Sequence, residues 1–351
     1  LKILKQVDLI ALCQCRPVVK LYLCCMNFTD TLLSWFASHG RSLPWREAGT
    51  PYAIWLSEII LQQTRVAQGE AYWRRFLAQW PTVEQLAAAS EDEVLRAWQG
   101  LGYYSRARNL HTAAQQIAAL GHFPDTYASI RALKGVGDYT AAAIASFAFG
   151  LPHAAVDGNA YRVLARYFGI DTPIDDAKGK RTFAVLAQSL LPEGHAADFN
   201  QAMMDFGATQ CVPRSPRCEV CPMAETCDAL RTGRVSVLPA RRKRVGVQER
   251  QLTYLYLRCG GRTAIHQRGA GDIWQGLWEP LLIQPTEVRP VYELRVHHVK
   301  HVLTHRVLYA DLYLYQPATP PVLPEGCRWV DEADLGQYAL PRLVEKLIAL
   351  L

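Results

Sequence analysis

Glu58 stands at a position where the sequence predicts a carboxyl group that is kept from water. It lies between Ile54 and Leu61 in a helical stretch that begins at Pro51. Burial disfavours the charged form of a carboxyl group, so such a group stays protonated and can act as a general acid. Asp157, which opens an Asp-Gly-Asn run, is the candidate for a second, negatively charged carboxylate.

A cluster of four cysteines indicates a metal centre. Six, two and five residues separate its members, which are Cys211, Cys218, Cys221 and Cys227. Four thiolates in so short a segment are typical of structural zinc or of an iron–sulfur cluster. The set implies no open coordination position, so we expect the metal to fix a loop and to take no part in a reaction.

Residues 133–145 predict a tight turn followed by a helix of small residues. Gly135 and Gly137 bring backbone N–H groups close to a ligand, and the N-terminus of the following helix carries a partial positive charge. This arrangement suits a phosphate group. A Gly-x-Gly turn alone is equally compatible with a simple connection between two helices.

Two further loops combine cations with aromatic rings. Arg41 and Arg46 flank a leucine and a tryptophan, and residues 100–110 contain paired tyrosines beside two arginines. Such mixtures suit phosphate contacts together with base stacking. A surface turn, or tyrosines that only pack against neighbouring helices, would show the same composition.

Three of these motifs resemble the helix-hairpin-helix DNA glycosylase superfamily. The run Leu-Lys-Gly-Val-Gly-Asp-Tyr-Thr-Ala from Leu133 resembles its hairpin, with Lys134 in place of the usual proline. The run Trp-Leu-Ser-Glu-Ile-Ile-Leu-Gln-Gln-Thr from Trp55 resembles the signature of adenine DNA glycosylases of the MutY type. The 6-2-5 cysteine spacing is similar to that of the [4Fe–4S] loop of endonuclease III and adenine glycosylases, which favours this cluster over zinc.

The resemblance implies roles for the candidate catalytic residues. Glu58 matches the acid that protonates adenine at N7, and Asp157 matches the carboxylate that faces the anomeric carbon of the sugar. Tyr139 and Asn159 match residues that hydrogen-bond these carboxylates or a covalent intermediate. Tyr139 replaces the lysine of bifunctional relatives, and a phenol cannot form a Schiff base, so a monofunctional glycosylase is implied. Tyr161 stands where many members of the family have a lysine.

The resemblance also implies an interface with DNA. Tyr103, in a Gly-Leu-Gly-Tyr-Tyr loop, matches a residue that enters the base stack beside the lesion, together with Gln63. Arg46 matches a pocket residue near adenine. The full set of expected DNA contacts is Arg41, Leu43, Arg46, Gln62, Gln63, Thr64, Tyr103, Gly135, Gly137, Thr304 and His305.

The last third of the chain predicts an α+β module. Alternating side chains indicate a strand at residues 251–258, and further strands are predicted at 263–267, 291–299 and 307–314. Residues 341–350 indicate a helix. Residues 267–280 resemble the Nudix-type domain at the C-terminus of adenine glycosylases. The Arg-Glu-x-x-Glu-Glu set that holds magnesium in Nudix hydrolases is absent from the sequence, so we expect binding and not pyrophosphate hydrolysis.

The run from His301 to His305 matches a family loop that reads 8-oxoguanine on the opposite strand. Thr304 replaces the serine of that loop and keeps a hydroxyl group. Leu303 replaces an aromatic residue, so any stacking contribution from that position is lost. Metal binding by the neighbouring histidines is the alternative interpretation, but they lack a second group of ligands.

The expected fold is a mainly α helix-hairpin-helix glycosylase domain with a [4Fe–4S] loop, followed by an α+β Nudix-like domain. The first segment lacks helical periodicity, which suggests translated upstream sequence with Met26 as the natural start, or a poor signal peptide. The expected boundaries are 1–26 for a non-native or disordered leader, 27–230 for the helical domain, 133–145 for the hairpin, 211–227 for the iron–sulfur loop, 231–248 for a basic linker and 249–351 for the Nudix-like domain.

Composition bears on compartment and partner. The 351 residues carry a net charge of +6 and half are hydrophobic, which is typical of a globular protein with a mild preference for acidic partners. Ten cysteines in so long a chain do not form a disulfide scaffold, which favours a reducing cytoplasm. The expected partner is duplex DNA containing adenine opposite 8-oxoguanine or guanine, bound by a monomer.

Two rival functions stay open from the sequence. One is an endonuclease III-like glycosylase and lyase that acts on oxidised pyrimidines. The other is a non-catalytic iron–sulfur module that binds DNA. The basic run at 241–244 is compatible both with a phosphate clamp and with a solvated tether.

Overall fold

A computed structural model describes residues 18–242 and 246–351, with side chains from Asn27 onward. The first helix, α1, spans Val18–His39 and therefore begins inside the segment that the sequence assigns to a leader. The rest of that leader, with Cys13 and Cys15, lies outside the described residues. So does the end of the basic run.

Helices account for the regular structure of the first part of the chain. After α1 they are α2 Pro51–Leu61, α3 Val66–Gln79, α4 Val83–Ala88, α5 Glu91–Trp98, α6 Ser105–Leu120, α7 Tyr127–Arg131, α8 Asp138–Phe149, α9 Gly158–Phe168, α10 Ala177–Leu190, α11 Ala196–Asp205 and α12 Asp228–Arg231. Between residues 18 and 242 the described chain contains no strand, which confirms the prediction of an all-α part.

Side-chain caps explain where several of these helices begin. Thr82, Ser90 and Thr126 each form a capping box with the residue three positions on, at the starts of α4, α5 and α7. Thr50 accepts a hydrogen bond from a backbone N–H in the first turn of α2. Asp157 caps α9 in the same way, so the candidate carboxylate also fixes the start of its own helix.

A core of aromatic and aliphatic side chains holds α1 against α9, α10 and α11. Its largest fully buried members are Phe28, Phe183, Phe199 and Phe206. Burying each such side chain stabilises the fold by about 1.5–3 kcal/mol. This core therefore fixes the position of α9, and with it the position of Asp157.

The C-terminal part is built on a six-stranded sheet in the order β4-β5-β1-β3-β2-β6. Its strands are β1 Gln248–Cys259, β2 Arg262–Gln267, β3 Trp278–Ile283, β4 Glu293–Val302, β5 Arg306–Tyr315 and β6 Cys327–Asp331. β1 pairs in parallel with β5 and antiparallel with β3. The last helix, α13 Arg342–Ile348, packs on one face of the sheet. The sequence predicted β1, β2, β4, β5 and this helix, but it missed β3 and β6.

The described chain divides into two compact units. One contains the residues up to Gln62 and those from Leu120 to the gap after Arg242. The other contains Gln63–Ala119 and the residues after the gap. The helices α3 to α6 are thus grouped with the sheet, whereas the sequence assigned them to the helical domain, whose boundaries stay a prediction.

A buried ion pair lies in the unit that contains the sheet. Arg268 donates from Nη1 to both carboxylate oxygens of Glu279, at 2.7 and 2.8 Å, and both side chains are nearly inaccessible to water. The hydroxyl of Tyr254 donates to the same carboxylate over 2.9 Å. Burial still leaves the pKa of Glu279 above its usual range, although Arg268 acts against that shift.

Replacing Arg268 with methionine should destabilise this unit by about 3–5 kcal/mol, because it leaves the buried carboxyl of Glu279 without its partner. Urea unfolding followed by tryptophan fluorescence measures the change. Arg295→Met is the matched control, since Arg295 forms an exposed pair with Glu293 and such pairs contribute at most about 1 kcal/mol. Equal midpoints for the two variants would contradict the argument.

Candidate active site

Glu58 lies on α2, which packs against α8 of the hairpin. Its side chain is buried, and its Oε2 accepts a hydrogen bond of 3.0 Å from the hydroxyl of Tyr139. Burial raises the pKa of Glu58 to about 7; the hydrogen bond from Tyr139 and the charge of Arg46 oppose this shift, and the charge of Asp157 adds to it. Near neutral pH a large fraction of Glu58 is therefore protonated.

Asp157 caps the N-terminus of α9, and both of its carboxylate oxygens accept hydrogen bonds. Oδ1 accepts the backbone N–H of Ala160 at 2.7 Å, and Oδ2 accepts the side-chain amide of Asn159 at 2.7 Å. Burial raises the pKa of Asp157, while these hydrogen bonds and the charge of Arg162 act in the opposite direction. Both donors stabilise a carboxylate, as does the positive end of the helix.

The structure brings these residues together in one unit of the molecule. Asp157 is near enough for its charge to raise the pKa of Glu58. Burial is the largest cause of the raised pKa of Tyr139, and the charges of Glu58 and Asp157 raise it further. The side chain of Tyr139 is half-buried, and its hydroxyl donates to Glu58. The side-chain amide of Asn159 donates a hydrogen bond to Asp157.

Arg41 and Arg46 converge on one carboxylate that the sequence analysis missed. Asp205, the last residue of α11, has no exposed surface and accepts hydrogen bonds of 2.6–2.9 Å from both guanidinium groups. Burial alone would raise the pKa of Asp205, but the hydrogen bonds from Arg46 and Arg41 hold it below its ordinary value. Both arginines are therefore held in place by the protein, and Leu43 between them is buried.

The residues at the end of α2 differ in their contacts. Gln62 donates to the hydroxyl of Thr140 on α8 over 3.1 Å. Gln63 is exposed and has a left-handed backbone with φ +59°. Thr64 accepts a hydrogen bond of 3.3 Å from Arg106. Of these three predicted DNA contacts, Gln63 is the one that is exposed and has a strained backbone. Strain of this kind is concentrated at ligand sites.

The two glycines of the hairpin have different reasons to be glycine. Gly135 has φ +78°, which side chains other than glycine rarely adopt. Gly137 has φ −91° at the N-cap of α8, and an added Cβ would meet nothing within 4 Å. Gly137 therefore does not need to be glycine for its backbone conformation, and the predicted close approach of its N–H group to a ligand stays a prediction. Asp138 follows Gly137, and Arg131 donates from Nε to its carboxylate at 2.6 Å.

The iron–sulfur loop surrounds a small cavity. Its lining includes all four cysteines of the predicted set, namely Cys211, Cys218, Cys221 and Cys227, which form no disulfide. Arg166 lies with Nη1 3.4 Å from the Cys211 sulfur, and backbone N–H groups are directed at the sulfurs of Cys221 and Cys227. Burial raises the pKa of Cys221 and Cys227, and the backbone donors act against that shift. Four cysteines with donors directed at their sulfurs fit a [4Fe–4S] cluster, which when bound would cross-link the loop.

No three histidine, cysteine or acidic side chains in the described chain are grouped to hold a single metal ion. Thiolates on one zinc lie roughly 3.8 Å from each other because each Zn–S bond is ~2.3 Å long. Thiolates of a [4Fe–4S] cluster are on separate irons and lie further apart. The choice of a [4Fe–4S] cluster rests on the 6-2-5 spacing of the four cysteines.

Arg162 connects the iron–sulfur loop to Asp157, and the sequence analysis missed it as well. Its guanidinium donates to Asn159 Oδ1 at 2.7 Å, to the carbonyl of Gly207 at 2.6 Å and to the carbonyl of Cys211 at 2.7 Å. Asn159 in turn donates to Asp157. The available sequence signal was a pair of arginines four residues apart on the helix that Asp157 begins.

Gly207 lies directly against this network. It belongs to a π-helical turn, Phe206–Gln210, between Asp205 and Cys211. A Cβ added to Gly207 would be 2.5 Å from Cβ of Asn159, which is closer than real carbon atoms approach. Glycine is therefore required here for close packing and not for an unusual backbone conformation.

The remaining predicted contacts lie in the other unit. Tyr103 is 47% exposed with φ +47°, and its hydroxyl is hydrogen-bonded to the hydroxyl of Thr304. His305 is exposed at the turn between β4 and β5. Tyr161, where relatives have lysine, packs its ring on Phe183.

Family models match three parts of the chain. The description "HhH-GPD superfamily base excision DNA repair protein" applies to residues 56–188, "iron-sulfur binding domain of endonuclease III" to 211–227 and "NUDIX domain" to 253–350. Together with the hairpin and the two carboxyls, these matches define the class of helix-hairpin-helix DNA repair glycosylases with an iron–sulfur loop.

Similarity to individual relatives identifies the family of this chain. An adenine DNA glycosylase of Buchnera aphidicola from Acyrthosiphon pisum is 33% identical over 92% of this chain and 96% of its own length. The adenine DNA glycosylase of Mus musculus is 42% identical over 61% of this chain but only 44% of its own length. The chain belongs to the adenine DNA glycosylase family.

Solved structures agree with the fold of the helical part. A thermostable thymine-DNA glycosylase has a TM-score of 0.56 and 31% identity, covering 60% of this chain and 98% of its own. A non-covalent endonuclease III–DNA complex has a TM-score of 0.53 at 21% identity, covering 62% of this chain and 99% of its own. The latter similarity concerns the fold alone.

No helix among the described residues is both long enough and apolar enough to cross a membrane.

Tyr139→Phe should move the pH dependence of adenine release upward. A general acid is active while protonated, so the rate falls as pH rises through the pKa of Glu58, which is about 7. The Tyr139 hydroxyl stabilises the charged form of Glu58, so its removal raises that pKa further. Single-turnover rates measured between pH 5 and 9 test this prediction. It would be contradicted if the pH at which the rate falls to half were unchanged or lower in the variant.

Gly207→Ala should lower the single-turnover rate by about 100-fold, because the new methyl group displaces Asn159 and with it Asp157. The iron–sulfur absorption at about 400 nm reports whether the cluster loop remains intact. Gly336→Ala is the control, since Gly336 is exposed and an added Cβ there meets nothing within 4 Å. A rate within twofold of the unmodified protein would refute the role of this contact.

Proposed function

We propose that this chain removes adenine paired with 8-oxoguanine, or with guanine, from duplex DNA by hydrolysis of the N-glycosidic bond. The observation that carries the proposal is the buried Glu58, with a pKa of about 7, in the same site as the hydrogen-bonded Asp157. Adenine leaves poorly as an anion, so a proton must reach the base before the bond breaks. A carboxyl that is still protonated near neutral pH can deliver it.

Glu58 gives its proton to N7 of adenine in this mechanism. Tyr139 donates to Oε2, so Oε1 carries the proton that is transferred. The C1′–N9 bond then breaks, its electron pair leaves with the protonated base, and positive charge develops on the sugar. Arg46, held by Asp205, keeps a cation near Glu58 that stabilises the glutamate after proton transfer.

Asp157 stabilises the oxocarbenium-like sugar, either as a charge or by forming a covalent bond to C1′ that water later hydrolyses. Its two oxygens accept hydrogen bonds from Asn159 and Ala160, which hold it in the charged form and fix its direction. Water adds to C1′ and loses a proton to the nearby carboxylate. The products are free adenine and an abasic site.

The proposed enzyme has no strand-cleaving step of its own. Tyr139 occupies the hairpin position at which an amine would attack the sugar, and a phenol cannot form a Schiff base. Lys134 is exposed on the hairpin and supplies the nearest amine in sequence. Robust covalent trapping with borohydride on an oxidised-pyrimidine duplex would favour the endonuclease III-like alternative.

The proposed DNA contacts come from several separate segments of the chain. Gly135 and Gly137 present backbone N–H groups to a phosphate, and the open space beside Gly137 leaves room for it. Tyr103 and Gln63, both in left-handed conformations, enter the base stack. Thr304 and His305 read the base opposite adenine. We further propose that the protein acts as a monomer in the cytoplasm.

Glu58→Gln should lower adenine release from an 8-oxoguanine–adenine duplex by about 10²- to 10⁴-fold, because glutamine cannot donate the proton. Duplex binding should persist, which separates loss of chemistry from loss of folding. Exposed Glu84→Gln is the matched control and should keep the original rate. Undiminished release by Glu58→Gln would overturn the proposal. Absence of release by the unmodified protein would favour a non-catalytic module.

The same assay with guanine, thymine or 8-oxoguanine opposite adenine tests the choice of substrate. Release should be fastest opposite 8-oxoguanine, slower opposite guanine and negligible opposite thymine. Equal rates in all three duplexes would contradict recognition of the opposite base.

A further inference from the structure

Met204 lies beside the hydrogen bond between Tyr139 and Glu58 and has no part in the proposed chemistry. The hydroxyl of Tyr139 donates to Glu58 Oε2 over 3.0 Å, and the same hydroxyl lies 4.0 Å from the sulfur of Met204. All three residues belong to the same compact unit. A thioether sulfur is only a weak acceptor, so the carboxyl group receives the stronger of the two hydrogen bonds.

The backbone of Met204 is fixed on both sides. Met203, the preceding residue on α11, is buried in the core that holds α1 against α9. Asp205, the following residue, has no exposed surface and binds two arginines. The side chain of Met204 packs against small residues of the hairpin helix α8. Its sulfur is therefore kept beside Tyr139, although a methionine side chain is itself flexible.

Met204 differs in exposure from the other methionines whose side chains the structure describes. Met203 and Met223 are 1% and 3% exposed, whereas Met204 is partly exposed. An oxidant dissolved in water therefore reaches the sulfur of Met204 more easily than the two buried ones. Oxidation converts the apolar thioether of methionine into a polar sulfoxide, which reductases can reverse.

We propose that Met204 is an oxidation site at which hydrogen peroxide rearranges the hydrogen bond between Tyr139 and Glu58. A lone pair of the sulfur attacks one peroxide oxygen, the O–O bond breaks, and the departing hydroxide takes the remaining proton and leaves as water. The sulfur loses two electrons and the peroxide gains them. The new sulfoxide oxygen is a strong acceptor on an atom that already lies near Tyr139, so it draws the hydroxyl away from Glu58.

The expected consequence is a change in the pH range over which Glu58 is protonated. The hydrogen bond from Tyr139 lowers the pKa of Glu58, so its loss raises that pKa. The charges of Asp157 and Arg46 also act on Glu58, and oxidation leaves both in place. On α11 itself, the neighbouring Asp205 is paired with Arg46. The inference rests on the proposed function, in which Glu58 is the acid.

Peroxide treatment of the full chain carrying its cluster tests the site, at doses that retain the absorption at about 400 nm. Single-turnover adenine release is then measured between pH 5 and 9. The pH at which the rate falls to half should rise by about 1 unit, as expected when a carboxylate loses one hydrogen bond. Mass spectrometry of peptides should locate the added oxygen on Met204. An unoxidised Met204, or an unchanged half-rate pH once it is oxidised, would overturn the proposal.

Three variants identify the atoms responsible for the shift. Met204→Leu removes the sulfur and keeps an apolar side chain of similar size, so peroxide should leave its pH profile in place. Tyr139→Phe has no hydroxyl to redirect, so peroxide should not shift its profile either. Met203→Leu is the matched control and should respond to peroxide as the unmodified protein does. A peroxide-induced shift that persists in Met204→Leu or in Tyr139→Phe would contradict the assignment.

Met204→Gln tests the same contact without an oxidant. Its side-chain carbonyl supplies an oxygen acceptor beside the Tyr139 hydroxyl. The half-rate pH of this variant should therefore lie above that of Met204→Leu. Equal values for the two variants would count against a redirected hydrogen bond.

Failure of this inference can be told apart from failure of the proposed function. Difference infrared spectra against Glu58→Gln follow the Glu58 carboxyl group without any substrate. Oxidation of Met204 should raise the midpoint of that titration. Absence of adenine release together with this rise would contradict the proposed function and leave the inference intact. Adenine release together with an unmoved midpoint would contradict only the inference.

Discussion

The whole arrangement depends on keeping one carboxyl group protonated inside the protein near neutral pH. Desolvation of Glu58 raises its pKa to about 7, and the charge of Asp157 acts in the same direction. The Tyr139 hydroxyl and Arg46 limit that shift, so the group can still lose its proton when a base accepts it. A more exposed glutamate would be charged, and a fully isolated one would release its proton less easily.

The second carboxylate is held by a different set of interactions. Asp157 is fixed by the helix it caps, and that helix carries Arg162 and Arg166, which bind the loop of the four cysteines. The π-helical turn joins the same loop to Asp205, which holds Arg46 near Glu58. The iron–sulfur loop is thus connected, through hydrogen bonds and through the backbone, to both halves of the candidate site.

Local patterns were sufficient for part of this description. The apolar neighbours of Glu58, the cysteine spacing and the helical periodicity all depend on residues close in sequence, and the structure confirms the fold class that they indicated. The roles of Asp205 and Arg162 could not be predicted from the sequence, because their partners lie far along the chain. Arg46 and Asp205, for example, are 159 residues apart. Burial of a charged residue on a mixed helix face cannot be read from its neighbours, and neither can the packing of Gly207 against Asn159.

The most direct test of this account is the titration of Glu58 itself. Difference infrared spectra between the unmodified protein and Glu58→Gln, recorded over a range of pH, isolate the carboxyl stretch of this one side chain. The account predicts half-protonation near pH 7. A midpoint close to the ordinary glutamate value of about 4.3 would show that Glu58 is charged at neutral pH and cannot be the proton donor.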